Sequence, residues 1–337
     1  MPTVPDYTPM IAALSACKKV LVTTHARPDG DALGSTAALV LGLRTKGIAA
    51  DVLLQPKSPN KYAFVYENAG LTYRSADPVL PADFSLTGYD AIVVVDTGTW
   101  SQLPGLRPHV EAFRGKKLVI DHHLTQEDWA DVKLVDTAAG AACEVVAELL
   151  RQWDVPLTKE IGEALYVGLV SDTGWFQYSN TRPYALRLAA TLLELGVDAD
   201  TLYQRLYNSE RPQRVLLQAK AMQSLELLAA NRVAVMTIRR EDLLAVDATT
   251  NDTEGLINVP LAVKDVQVSV VLSEPLEPDG AVRCSFRSKG QVDVAAFAQH
   301  FGGGGHARAA GAKITGTLDA AKGTIVDRLL QTFGSVS

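Results

Sequence analysis

The chain has 337 residues, a length that suits two domains of ordinary size. It is 47% hydrophobic and 21% charged, which excludes a disordered tail, a collagen-like fibre and a coiled-coil rod. With 32 basic against 38 acidic residues and a net charge of −6, it lacks the basic surplus of a non-specific duplex binder, so a nucleic-acid ligand should be short or met by a local patch.

The elements follow in chain order. Met10–Leu14 reads as part of a first amphipathic helix. The lipoprotein-like box Leu14-Ser15-Ala16-Cys17 has no basic residue before it and too short an apolar stretch for a signal core. Val20–Thr24 is a β-branched run that ends in a polar turn with Pro28 and Gly30. Leu33–Leu43 reads as a helix stopped at Gly47, and Asp51–Leu54 as a second strand. Ala91–Val95 and Lys117–Ile120 are continuous apolar runs, as expected of parallel strands covered on both faces. Apolar residues at 141, 142, 145, 146, 149, 150 and 153 repeat at helical spacing, and Ile161–Val170 and Tyr184–Leu195 look helical too.

Strands alternating with helices predict an α/β fold: a doubly wound, mainly parallel sheet over residues 1–195. Residues 196–228 break the rhythm and read as a linker with a connecting helix over Arg214–Leu228. From 229 to 337, strands at Val233–Ile238, Val266–Leu272 and Ala281–Arg287 and helices at Val294–Phe301 and Ala320–Phe333 predict a second, smaller α/β domain across a cleft. The three cysteines, Cys17, Cys143 and Cys284, are far apart and odd in number, which speaks against a disulfide framework or a thiolate zinc site and for a cytoplasmic protein. No apolar run approaches the ~18 residues of a membrane span, and no membrane partner is expected.

Titratable residues gather at the strand ends. Val20–Thr24 runs into His25-Ala26-Arg27-Pro28-Asp29-Gly30-Asp31, Ala91–Val95 into Asp96-Thr97-Gly98, and Lys117–Ile120 into Asp121-His122-His123. The helix at Ile161–Val170 runs into Ser171-Asp172-Thr173-Gly174. The carboxyl ends of parallel strands share one rim, where ligands bind. Alone, Asp31 reads as a helix cap, Asp96 as a turn residue and the paired histidines as solvated. Together, four carboxylates and three histidines on one rim would repel and lose hydration without added positive charge.

Asp29, Asp31, Asp96 and Asp172 balance two divalent cations, one carboxylate being shared. Oxygen and imidazole donors without thiolate favour Mn²⁺, with Mg²⁺ or Co²⁺ as alternatives. Such a pair activates water for in-line attack on phosphorus.

These segments resemble the four motifs of the DHH phosphoesterase superfamily, and Gly302-Gly303-Gly304-Gly305-His306-Ala307-Arg308-Ala309-Ala310-Gly311 resembles the signature of its DHH-associated domain. The compact length resembles the nanoRNase and 3′-phosphoadenosine 5′-phosphate (pAp) phosphatase subfamily. The resemblance implies that His25, Asp29 and Asp96 hold one metal. It implies that Asp31, Asp96, His122 and Asp172 hold the other. His123 would bind or protonate a phosphate oxygen, and Asp121 would orient the loop. Arg27 stands where the family often has a small amide, which leaves its role open.

The glycine run suits an anion-binding nest. Between residues 280 and 313, Arg283, Arg287, Lys289, Arg308 and Lys313 stand against Asp293 alone. Arg287, Ser288, Lys289, Gly303, Gly304, Gly305, His306 and Arg308 are therefore the candidate substrate clamp. At least two of Trp175, Phe176 and Tyr178 read as core residues. The expected substrates are short oligoribonucleotides and pAp. The alternatives are a linear- or cyclic-dinucleotide phosphodiesterase, a RecJ-like exonuclease, or a nucleotide-binding sensor without turnover. The resemblance also allows a homodimer.

Overall fold

The structure is a computed structural model that describes residues 5–55, 60–75, 80, 84–277, 280–290 and 292–333. The chain divides into two compact units, residues 1–208 and 209–337. No helix among the described residues is long and apolar enough to cross a membrane.

In the first unit the described strands are β1 (Lys19–Thr24), β2 (Ala49–Leu54), β3 (Arg74–Ser75), β4 (Ala91–Val95), β5 (Lys116–Asp121) and β6 (Val132–Val135). They form one parallel sheet in the order β3-β2-β1-β4-β5-β6. The helices are α1 (Thr8–Ser15), α2 (Gly30–Thr45), α3 (Ala63–Asn68), α4 (Arg107–Ala112), α5 (Ala142–Gln152), α6 (Lys159–Asp172), α7 (Pro183–Glu194) and α8 (Ala199–Tyr207).

The unbroken apolar runs of β1, β4 and β5 reflect burial on both faces. Val20, Val22, Val93, Val95, Leu118 and Ile120 face a core built with α2, α5 and α6. Leu21, Ile92, Val94 and Val119 face a smaller core with Leu103, Leu106 and Val110. The strand order reverses direction between β1 and β4, and a crevice opens beyond the carboxyl ends of such neighbours.

The second unit carries α9 (Pro212–Gln223), β7 (Glu226–Leu228), β8 (Val233–Ile238), α10 (Arg240–Ala245), β9 (Val268–Ser273), β10 (Val282–Ser288), α11 (Val294–Gln299), β11 (Gly304–His306), β12 (Ala309–Ile314) and α12 (Leu318–Phe333). Its sheet runs β11-β12-β10-β9-β8-β7, and among these pairs only β8 and β9 are parallel. One face packs on α11 and α12 through Phe286, Phe297, Ile325 and Leu329, and the other on α9 and α10 through Met236, Leu217 and Leu243.

Several elements differ from the sequence reading. The segment 196–228 holds α8 in the first unit, then α9 and β7 in the second. Strands β3, β6, β11 and β12 and helix α3 carry no distinct pattern because each is short or glycine- and alanine-rich. The N-cap of α2 is Asp29, whose Oδ1 accepts from the amides of Asp31 and Ala32 at 3.0 and 3.1 Å. That leaves Asp31 one position inside the first turn, free of the cap role.

Candidate metal centre

Strand register sets the site. Thr24 pairs with Val95, and Val95 with Ile120, so the next residues, His25, Asp96 and Asp121, emerge side by side at one level. Asp96 sits at φ +65°, in the left-handed region that aspartate tolerates better than most residues. Its amide still donates to the Ile120 carbonyl at 2.9 Å, so the bend comes after the ladder ends. A buried non-glycine residue held in this region is a common mark of a functional site.

Two helices bring the remaining carboxylates. Asp31 lies in the first turn of α2 and Asp172 ends α6. The helices touch along small residues: a Cβ on Gly34 would run into the Ala164 carbonyl, and one on Gly168 would stand 2.8 Å from Asp31 Oδ1. Asp31 is fully buried and accepts from the amides of Ala142 and, at 2.9 Å, Cys143, the opening residues of α5. The positive end of that helix steadies its charge.

The imidazoles are aimed by their second nitrogens. His25 Nδ1 donates to the Ala26 carbonyl at 2.9 Å, and His122 Nδ1 to the Ala139 carbonyl at 3.2 Å. Each Nε2 is thereby turned toward the carboxylates. His25 Nε2 lies 3.4 Å from Asp96 and 4.0 Å from Asp29. His122 Nε2 lies 3.3 Å from Asp96, 3.4 Å from Asp172 and 3.9 Å from Asp31. Three trios converge with their ligand atoms within 4.8 Å: His25, Asp29 and Asp96; Asp31, His122 and Asp172; and Asp96, His122 and His123.

Asp121 is buried and faces the loop. It accepts from the amides of His122 and His123 at 2.7 and 3.2 Å, from His123 Nδ1 at 2.8 Å, and from Gln126 Nε2. His123 Nδ1 also lies 3.6 Å from Asp96, which brings it into the third trio, although the resemblance gave it no metal. Arg27 adopts φ +59° on the loop after β1.

This donor set fits divalent cations. Asp96 Oδ1 and His122 Nε2 are buried and lack a hydrogen-bond partner, a costly arrangement unless something else occupies the space they face. The charge balance agrees. Burial pushes up Asp31, and Asp96 and Asp172 add to the rise. Burial also lifts Asp172 to about 7, with Asp96 and Asp29 contributing. Burial alone would lower His25 and His122, but Asp96, joined by the Ala26 carbonyl and Asp29 at His25 and by Asp31 and Asp172 at His122, raises them to about 9 and about 10. Burial likewise opposes ionisation of Asp96, but His122 and His25 hold its carboxyl below the usual range.

A pH dependence follows. Asp172, with an ordinary value of 3.8, and His25 and His122, with an ordinary value of 6.5, bind protons more tightly folded than unfolded. Their contribution to the stability of the metal-free chain therefore falls as pH rises from about 4 to 7 for Asp172 and from about 6.5 to 9–10 for the histidines. Melts in chelator and in excess Mn²⁺, from roughly pH 5.5 to 8.5, should show a metal-induced rise in Tm that grows with pH. A rise that shrinks over this range would contradict the assignment.

A network missing from the sequence reading supports the cluster. Asn180 Nδ2 donates to the carbonyls of Gly140 and Asp172 at 2.9 and 3.0 Å, tying the end of α6 to the start of α5. Arg182 pairs with the buried Glu144 and with Asp136. Gln126, bridged to Gly98, staples the loop after β5 to the loop after β4. None of these polar residues sits at a spacing that marks it in the sequence.

The clamp residues of the second unit lie around β10, β11 and β12. Strand β10 alternates buried and exposed residues, so Arg283 and Arg287 point outward beside the buried Phe286. Ser288 Oγ donates to the Val292 carbonyl at 2.7 Å. Lys289 Nζ donates to the carbonyls of Leu261, Val263 and Lys264, which uses all its protons. Arg308 is exposed, in the turn between β11 and β12. Gly303 and Gly305 let that hairpin close, since a Cβ on either would strike the β12 backbone, while Gly304 faces open space. His306 belongs to β11, and its side chain lies outside the described part of the structure.

Residues 19–169 match the DHH family N-terminal domain, and residues 231–335 match the DHHA1 domain. A Thermus thermophilus protein named as a bifunctional oligoribonuclease and PAP phosphatase, NrnA, is 31% identical over 88% of this chain and 84% of its own. The chain belongs to the DHH phosphoesterase family, in its NrnA-like branch. The Bacillus subtilis protein of the same name is 27% identical over 91% of this chain and 93% of its own. Among solved structures, an exopolyphosphatase-related protein from Bacteroides fragilis shares the fold with a TM-score of 0.84 at 24% identity, over 97% of this chain and 96% of that one. Of the clustered carboxylates and imidazoles, all but Asp172 fall within the residues matched by the DHH domain, and the glycine-rich hairpin falls within those matched by the DHHA1 domain.

Proposed function

We propose that this chain is a divalent-metal-dependent phosphoesterase that hydrolyses short oligoribonucleotides to mononucleotides and pAp to AMP. The convergence of His25, Asp29, Asp31, Asp96, His122 and Asp172 on one rim, with Asp96 central to it, carries the reading. The names of the Thermus and Bacillus relatives support the substrate class. His25, Asp29 and Asp96 would hold one cation, and Asp31, Asp96, His122 and Asp172 a second, Mn²⁺ by the character of the donors. When bound, such cations neutralise phosphoryl charge and lower the pKa of water.

The chain's own groups supply the rest. Asp121 fixes His123 through Nδ1, and contact with Asp121 is the main reason the imidazole is raised above its ordinary value. A protonated His123 can donate to a phosphate oxygen or to the leaving oxygen. In this reading Arg287 and Arg308, with the amides of Gly303–Gly305, bind the remaining phosphates, His306 assists, and Ser288 and Lys289 shape the loops beside them.

A hydrolysis panel in Mn²⁺ tests the proposal: pAp, RNA of two to ten nucleotides, single-stranded DNA and cyclic dinucleotides. Cleavage of pAp and of the shortest RNAs is expected, with product chromatography as the readout. Binding without product would favour a sensor, and preference for long DNA an exonuclease of the RecJ type. Arg287→Ala should raise KM for short RNA roughly tenfold with little change in kcat, as loss of a charge-assisted phosphate contact does. Unchanged KM would remove Arg287 from the clamp.

A further inference from the structure

Resting on the reading just given, we propose that Tyr203 and Tyr207, packed on Trp175, and Tyr178, folded over the neighbouring Gly174, form a shelf beside the carboxylate–imidazole cluster on which one nucleobase of a short RNA stacks.

The rings begin at the cluster itself. The Tyr62 ring lies 3.0 Å from where a Cβ on Gly30 would stand, between Asp29 and Asp31 in the chain. Lys61 Nζ is 5.6 Å from the Tyr62 ring centre and 4.9 Å from that of Tyr207. Tyr207 lies 5.1 Å from Tyr203, their planes tilted by 31°. Trp175 stands edge-on to both, at 4.9 Å from Tyr203 and 5.7 Å from Tyr207. Tyr178 folds back over Gly174, two residues after Asp172, where an added Cβ would strike its ring. All these residues belong to the first unit.

Two features need a cause beyond packing. Gly174, Trp175 and Phe176 have φ of 56°, 56° and 66°. For two bulky side chains this is a strained backbone, of the kind retained at ligand sites. Trp175 and Phe176 anchor the coil by packing on the core, which agrees with reading them as core residues, and the coil leaves Tyr178 61% exposed. Tyr203 and Tyr207 are 39% and 40% exposed, so the three tyrosines offer aromatic surface where a helix face would ordinarily be polar.

The neighbours identify the occupant. A phosphodiester held at the carboxylate–imidazole cluster carries a base one sugar away. Every base has a flat face that stacks on an aromatic ring whatever its sequence. Lys61 Nζ lies over the Tyr62 and Tyr207 rings, so the shelf is bordered by a cation as well as by aromatic faces.

The test uses the full-length protein and three dinucleotides: 5′-phosphorylated di-adenosine RNA and its two versions with one base removed. The double variant Tyr178→Ala/Tyr207→Ala should raise KM for the intact dinucleotide about tenfold with kcat held within about twofold. The penalty should vanish on one of the two abasic versions, and Tyr178→Phe/Tyr207→Phe should restore wild-type values. Calorimetric binding of the same three compounds in Ca²⁺ reads the shelf independently of turnover. A wild-type protein that binds the intact dinucleotide without cleaving it in Mn²⁺ would overturn the phosphoesterase reading alone. Affinity and KM unchanged in the alanine variant, an equal penalty on all three compounds, or a change of oligomeric state in place of a change of KM would overturn the shelf.

Discussion

Asp96→Asn should lower hydrolysis of short RNA by roughly three orders of magnitude, the scale on which removal of a central electrostatic group acts. Asparagine keeps the shape and tolerates the left-handed backbone that Asp96 adopts, so the fold should survive. What disappears is the one carboxylate among the described residues that lies within reach of His25, His122 and His123 together. The metal-induced rise in Tm should fall with it, which separates a metal-binding role from a purely chemical one. Full activity in the asparagine variant, or an undiminished thermal response to Mn²⁺, would remove Asp96 from the centre.

Arg182→Ala should cost about 3 kcal/mol of stability, the usual scale when one partner of a buried pair is removed. For a domain of this size that is a fall in Tm of roughly 6–12 °C. Glu144 is fully buried and accepts from the Gly140 amide at 3.1 Å as well as from Arg182. Burial already pushes its carboxyl up, and Arg182 is the main group opposing that rise. Adding Glu144→Gln removes the stranded charge and should recover part of the loss. A fall in Tm below about 2 °C, or a double variant no more stable than the single, would contradict this account of the pair.

The centre was readable because its chemistry sits on regular structure. Unbroken valine and isoleucine runs announced strands covered on both sides, and a parallel register sends the residue after each run to the same rim. His25, Asp96 and Asp121 therefore emerge together although 71 positions separate the first two and 25 the last two. Their supports were not readable. Gln126, Asn180 and Arg182 act through a pair of polar contacts each, made across loops, and a polar residue in a loop has no period to betray it. The aromatic shelf was opaque for another reason: its rings come from the coil after α6 and from α8, and meet only once α8 is formed, in a stretch whose rhythm had suggested a mere connector. The hairpin of β11 and β12 looked like a loop because its pairing depends on glycines that approach a neighbouring backbone.

The seam between α2 and α6 sets a limit on how this protein can diversify. Gly34 and Gly168 leave no room for even one methyl group beneath the carboxylates, so the packing under the cluster is close to incompressible. Descendants of this chain cannot add bulk at this seam without prying the two helices apart and displacing Asp31. Within this unit, change is left to those positions of the surrounding loops that hold none of the clustered carboxylates and imidazoles.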